Sequence, residues 1–313
     1  MFFRKSVFVV LFFLYHVCSL YSQTDLFKSR IVLDTIYKLG LDVFALSVAG
    51  TNVAFGDEDG NLCLIDSSGT ILKTSVKHSG WINSISNKGN LLLVNGSDGS
   101  ITLFDIANNN IKQNFKVSDE TIKQSDFVSD STVVVLSDNL FLLDIKNNKI
   151  IKTFPFAKTP SCMSLITGKK QVILGFTDGS ITIFDLNTSK TINRLLKHKD
   201  KITALTISKD RRQLLSGDTQ GISTLWQLND YTIKKSFKTN DYEISSIAFS
   251  DNGKYFVTAG WDKNAKVWNR TNFKLEVNIN LHKNIVSAIL FHNNKFFTAS
   301  YDNTIMVWHD FTK

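Results

Sequence analysis

Proline is almost missing from this sequence, with two in 313 residues, and cysteine is nearly as rare, with three. So few cysteines exclude a disulfide-built scaffold, which needs many more in a far shorter chain. Little proline and only 16 glycines exclude collagen-like and low-complexity chains. A hydrophobic content of 43% is too high for a disordered one. Arginine is scarce as well: six of the 36 basic residues. The formal charge of +8 therefore rests on lysine, which is weak support for a nucleic-acid partner. GxSxG, HExxH, CxxC, GxxxxGK[ST] and GxGxxG are all absent, so the usual nucleophile, zinc, redox and phosphate-binding motifs are missing. No catalytic residue, metal or cofactor is expected.

What is present begins with a leader. Arg4 and Lys5 precede an unbroken apolar run from Val7 to Tyr15, and small polar residues follow to Ser22. That order is a secretory signal peptide over residues 1–22, its apolar run too short for the roughly 20 residues that span a bilayer. Its removal takes away Arg4 and Lys5 and no acid, so +8 becomes +6. The expected location is secreted, periplasmic or the secretory-pathway lumen. The alternative is anchoring to a membrane by an uncleaved leader. No later stretch reaches membrane-spanning length.

A short connector, 23–29, leads into a domain of internal repeats, 30–313. Seven segments share a turn cluster followed by an alternating strand, ending at Asp66, Asp105, Asp144, Asp185, Gln227, Asn269 and His309. Successive ends are 39, 39, 41, 42, 42 and 40 residues apart. Three further strand-like runs fall within each interval; in the sixth copy all four read Ile244–Ser250, Lys254–Gly260, Asn264–Asn269 and Lys274–Asn280. Period-two alternation with β-branched and aromatic enrichment argues for strands. Asn108-Asn109-Asn110, Asn147-Asn148, Asp251-Asn252-Gly253 and Asn293-Asn294 supply turn chemistry between them. Seven units of four antiparallel strands without helix make an all-β, seven-bladed β-propeller.

The copies resemble the WD-repeat (tryptophan–aspartate repeat) family. Val267-Trp268-Asn269, Val307-Trp308-His309 and Leu225-Trp226-Gln227 stand where that family carries Trp-Asp, and His78, His198 and His282 occupy its Gly-His position. The match is strong in copies five to seven and degenerate in the first four, where Phe, Ile or Leu replaces Trp. The resemblance implies a blade-tying set of His, strand hydroxyl, turn Asp and Trp. Copy seven is complete, with His282, Thr298, Asp302 and Trp308. Copy five offers His198, Ser216 and Trp226 with Gln220 for the acid, and copy six Thr258, Asp262 and Trp268 with Asn240 for the histidine. The early blades are expected to rely on apolar packing of Phe104, Leu143 and Phe184. His78, His198 and His282 are thus read as structural rather than metal ligands. The recurring turn acids Asp59, Asp98, Asp138, Asp178, Asp262 and Asp302 are read the same way, because catalysis needs an asymmetric set. Gly-Asp-Glu-Asp-Gly at 56–60 reads as a solvated turn rather than a calcium site.

The last copy ends one outer strand short, and the segment 30–38 has no copy of its own. It is expected to supply that strand and close the ring from the N-terminal side. Cys63 in the first blade and Cys162 in the fourth then lie too far apart to pair. The resemblance also implies docking on the face formed by the turns before each first strand and between the second and third. Those turns carry Trp81, Lys201, Tyr242, Glu243, Trp261 and Tyr301, and exposed Trp and Tyr are strong interface anchors. The lysine-rich stretch from Lys197 to Arg212 lacks interleaved aromatics and reads as a solvated face. Asn187 and Asn269 are the plausible glycosylation acceptors if the host glycosylates. The function expected is a non-catalytic scaffold binding a protein or peptide, a monomeric propeller within a complex and not a nucleic-acid binder. The alternative is an exported propeller enzyme of the lactonase or quinone-dependent dehydrogenase kind.

Overall fold

A computed structural model describes residues 32–293 and 295–309. The leader, the connector and residues 30 and 31 of the closing segment lie outside them. The described residues form 28 strands and no helix, arranged as seven four-stranded antiparallel sheets. Six blades are built from consecutive strands. Blade seven takes three strands from the end of the chain and its outermost from Leu33–Lys38, paired antiparallel with Thr304–His309. This is a seven-bladed β-propeller closed by the N-terminal strand.

The middle strands of most blades bury both faces. In blade two, Leu91–Gly96 and Ser100–Asp105 are buried at every position but the first, whereas the outer strand Asn110–Lys116 alternates. Burial on both faces explains why Leu-Leu-Leu-Val at 91–94 is continuous rather than alternating: neighbouring blades cover it from either side. The core is divided accordingly. Seven apolar clusters occupy the seven seams, one between each adjacent pair of blades. The cluster holding Val53, Phe55, Cys63, Phe297 and Ile305 joins blade seven to blade one. Phe104, Phe256 and Phe296 are fully enclosed, each worth about 2–3 kcal/mol relative to exposure. Among the described residues, Cys63 and Cys162 are buried and unpaired.

The turns follow their chemistry. Asn109, Asn148 and Asn293 adopt φ near +50°, a region Asn tolerates better than most residues. Gly99 and Gly221 immediately precede third strands at φ +76°, and a Cβ there would sit 2.0–2.1 Å from the Ser118 or Asn240 carbonyl oxygen; only glycine fits that approach. At the other end of the third strand, the acids that outlasted Trp cap the next turn. Asp105 accepts from the Ala107 amide at 3.0 Å, Asp144 from Lys146 at 2.9 Å and Asp185 from Asn187 at 2.9 Å.

Candidate functional site

The buried polar chains come first, because they fix the turns that carry the exposed face. In blade five the Trp226 indole donates to Ser216 Oγ at 2.9 Å, which lies 2.7 Å from His198 Nε2, while Nδ1 lies 2.6 Å from Asp218. An indole can only donate and a carboxylate only accept, so these ends set the direction of the whole relay, with Nδ1 carrying the proton toward Asp218. Blade seven repeats it through Trp308, Thr298, His282 and Asp302 at 3.0, 2.8 and 3.0 Å. In blade six Trp268 donates to Thr258 at 3.1 Å and Asn240 to Asp262 at 2.9 Å. The Asn240 Oδ1 is buried without a hydrogen-bond partner among the described residues, because amide replaces the longer imidazole.

Two expectations are corrected here. Gln220 does not stand in for the acid of blade five: it is exposed, and Asp218, two residues earlier, turns inward instead. Blade two is not held by Phe104 packing alone. His78 lies 3.2 Å from Asp98 and 3.2 Å from Thr102 Oγ1, a hydroxyl of the third strand replacing the second-strand position filled by Val94. Blade four does use apolar contact, with Phe156 at the histidine position packed edge-on to Phe184, centroids 5.5 Å apart.

Every turn acid except Asp59 is engaged by hydrogen bonds or an ion pair. Burial alone would raise the carboxyl of Asp302, but hydrogen bonds from His282, Thr304 and the Lys283 amide outweigh it and hold it well below the usual range. Asp98 is held low in the same way, against burial, by Ser100, the Ser79 and Ser100 amides and His78. Asp178 is held low by Lys158 and Ser180. Of the remainder, Asp262 ion-pairs Lys266 at 3.0 Å and Asp138 pairs Lys123 at 2.9 Å. Asp59 is exposed, while its neighbour Asp57 turns inward to accept from Asn61. Among the described residues no group of three His, Cys, Asp or Glu is placed to hold a metal ion.

The two turns of the candidate face are clipped together by one backbone hydrogen bond in every blade except the third. Ser97 donates to the Trp81 carbonyl at 2.9 Å, Thr219 to Lys201 at 3.1 Å, Trp261 to Glu243 at 2.9 Å and Tyr301 to Ile285 at 3.0 Å. This clip sets Trp81, Lys201, Glu243, Trp261 and Tyr301 around one mouth of the channel. Trp81, Tyr242 and Trp261 are exposed there. An open pocket of about 470 Å³ between blades five and six is lined by Thr219, Gln220, Asp241, Tyr242, Glu243 and Trp261. Burial raises the Glu243 carboxyl against the opposing charge of Lys201. It also pushes the Tyr301 phenol up to about 12, with Asp42 and Glu243 adding to the effect.

A further column of residues, absent from the sequence-based set, binds the mouth together. One residue into each blade, a side chain donates to the carbonyl that opens the next blade's inner strand. Asn83 reaches Ile122 at 2.9 Å, Lys123 reaches Pro160 at 3.0 Å, Ser161 reaches Ile202 at 2.5 Å and Thr203 reaches Ile244 at 2.6 Å. Ser245 reaches Val286 and Ser287 reaches Val43. Blade one has Phe44 in this column, which has no donor to offer. Its ring instead meets Trp81 at 6.1 Å and Tyr301 at 4.6 Å, making one aromatic row across blades two, one and seven. The signal was an Asn, Ser or Thr recurring one residue after the inner strand begins, with Lys123, just before its strand, and Phe44 as the exceptions.

A family model for "WD domain, G-beta repeat" matches residues 69–105, 231–269 and 273–309. Each stretch starts near the outer strand of one blade and ends on the third strand of the next. The match in the second copy, expected to be degenerate, agrees with its retained His78, Asp98 and Asp105. The chain is 25% identical over 126 residues to autophagy-related protein 18 of Dictyostelium discoideum, covering 38% of this chain and 34% of that protein. It is 26% identical over 159 residues to p21-activated protein kinase-interacting protein 1-like of Danio rerio, covering 48% and 42%. It thus spans less than half the length of these relatives. The chain is therefore a seven-bladed β-propeller that carries WD repeats at these three positions and complete His–hydroxyl–Trp relays in blades five and seven.

Proposed function

We propose that this propeller is a non-catalytic scaffold that binds a protein or peptide on the channel mouth bearing Trp81, Lys201, Tyr242, Glu243, Trp261 and Tyr301. The aromatic row Trp81–Phe44–Tyr301 carries the reading. Trp81 is exposed yet fixed, its indole donating to Asn83 Oδ1 at 2.8 Å while Asn83 ties blade two to blade three. A large apolar surface held in one position loses little entropy on binding, and such anchors dominate interface energetics. The Danio rerio relative is named for interacting with p21-activated protein kinase, which supports a protein partner for a chain of the same repeats. Replacing Trp81 and Trp261 together with Ala is expected to abolish recovery of the partner in a pull-down from the native host while leaving the melting temperature within a few degrees. Undiminished recovery would remove this face from consideration.

The leader supports placing the scaffold outside the cytosol. N-terminal sequencing of the mature protein is expected to begin at Gln23; a chain retaining Met1 or Phe2 would reject cleavage.

A further inference from the structure

The seven inner strands that line the channel are almost free of charge. Across Val43–Ala49, Ile82–Lys88, Gln124–Phe127, Pro160–Ile166, Ile202–Ile207, Ile244–Phe249 and Val286–His292 there is one carboxylate, Asp126. Lys88 and His292 are the only basic residues on these strands, each at a strand end. Lys88 pairs with Asp130 at 2.5 Å, and His292 contacts Asn293 in blade seven. The Cys162 thiol is pushed up to about 12 by burial and stays neutral. Lys123, just before the Asp126 strand, is engaged with Asp138 and the Pro160 carbonyl. Asp126 therefore faces no cation from any strand packed around it. Its Oδ1 accepts from the Phe127 amide at 2.7 Å, and its Oδ2 has no hydrogen bond among the described residues.

Asp126 lines a channel cavity of about 250 Å³ with Ser84, Ser86, Ser125, Ser164 and Leu205. Two of these hydroxyls are committed to the wall, Ser84 accepting from Asn95 at 2.6 Å and Ser125 donating to it at 2.7 Å. The Ser86 Oγ is buried and has no partner among the described residues. A half-buried carboxylate without a counter-charge, in the same cavity as a buried hydroxyl that lacks a partner, leaves two oxygen acceptors for a donor to satisfy. One carboxylate is too few for a calcium ion, which takes six to eight oxygens. N–H donors on a positive group match the acceptors, and Leu205 offers an apolar wall for a short stem.

We propose that the channel binds a nitrogen cation, a primary alkylammonium or a guanidinium, with Asp126 neutralising its charge and Ser86 accepting one of its N–H groups. The group can arrive as a free amine or as a partner's lysine or arginine side chain. Burial raises the Asp126 carboxyl to about 6, so the ionised form that binds the cation is lost as pH falls through that value. Affinity should be about tenfold weaker at pH 5 than at pH 8.

Isothermal titration of the full protein with propylammonium chloride, with propanol as the uncharged control, tests this. Saturable binding of the cation alone, the pH dependence above and loss of binding in Asp126→Asn are expected. The unmodified protein gives a second readout: titration near pH 6 in two buffers of different ionisation enthalpy should reveal release of about half a proton. A lysine tripeptide that binds more tightly than propylammonium would assign the group to a partner's side chain, and one that binds more weakly to a free amine; either supports the site. Equal binding of propanol, equal affinity at both pH values, or unchanged binding in Asp126→Asn would overturn it. The Trp81/Trp261 double variant should bind propylammonium normally, so failure at the mouth and failure in the channel are separable.

Discussion

Deleting the closing strand, Leu33–Lys38, is expected to abolish soluble monomeric protein. The strand pairs antiparallel from Leu33 opposite Trp308 to Lys38 opposite Thr304, with a register shift between Leu33 and Thr35. Beyond its ends, Leu39 donates to the Asn303 carbonyl and His309 to Val32, both at 2.9 Å. Asp34 adds Lys295 at 2.6 Å and His309 at 3.4 Å. Leu33 packs on the cluster between blades six and seven, while Tyr37 packs on the one between seven and one. The apolar side chains contribute about 1–2 kcal/mol each and the ladder bonds about 1 kcal/mol each. Together they rival the roughly 5–15 kcal/mol net stability of a typical domain. Deletion would also leave Thr304–His309 as a bare edge that templates aggregation. Size-exclusion chromatography of the deletion variant is the measurement. A monomeric variant with one cooperative melt would refute the role given to this strand.

The second large effect separates two neighbours in one turn. Asp218→Ala should cost about 3–5 kcal/mol in urea unfolding, whereas Gln220→Ala should stay within about 0.5 kcal/mol. Asp218 is almost fully enclosed beside His198 and accepts from the Gln220 and Ile222 amides, both at 2.9 Å. Its removal strands an imidazole proton and two amides in the interior. Gln220 stands exposed at the rim of the open pocket. Equal losses for the two variants would mean that the relay ending at Asp218 does not stabilise the blade.

These two predictions mark what the sequence makes legible. Repeat number, four strands per blade and the closing strand all follow from spacing, because a unit that cannot cover its own faces must recur and the ring must be completed. The Asp ending the early copies was visible too, since it caps a local turn and needs no Trp. Asp218 was hidden because the acid can enter from eight residues before the Trp position as well as from six. Thr102 was hidden because a neighbouring strand donates the hydroxyl. Phe44 and Asn83 act between blades, where no local pattern reports the contact, and Asp126 is marked only by the cavity it lines.

The closing strand also gives the ring a mechanical polarity. Leu33 sits beside Trp308, so the two ends of the described chain emerge side by side from the same blade. A force drawing them apart loads this antiparallel ladder from that end, one rung after another, rather than shearing every rung at once. The propeller should therefore yield by peeling at blade seven under low tension, with the six blades built from consecutive strands giving way only afterwards.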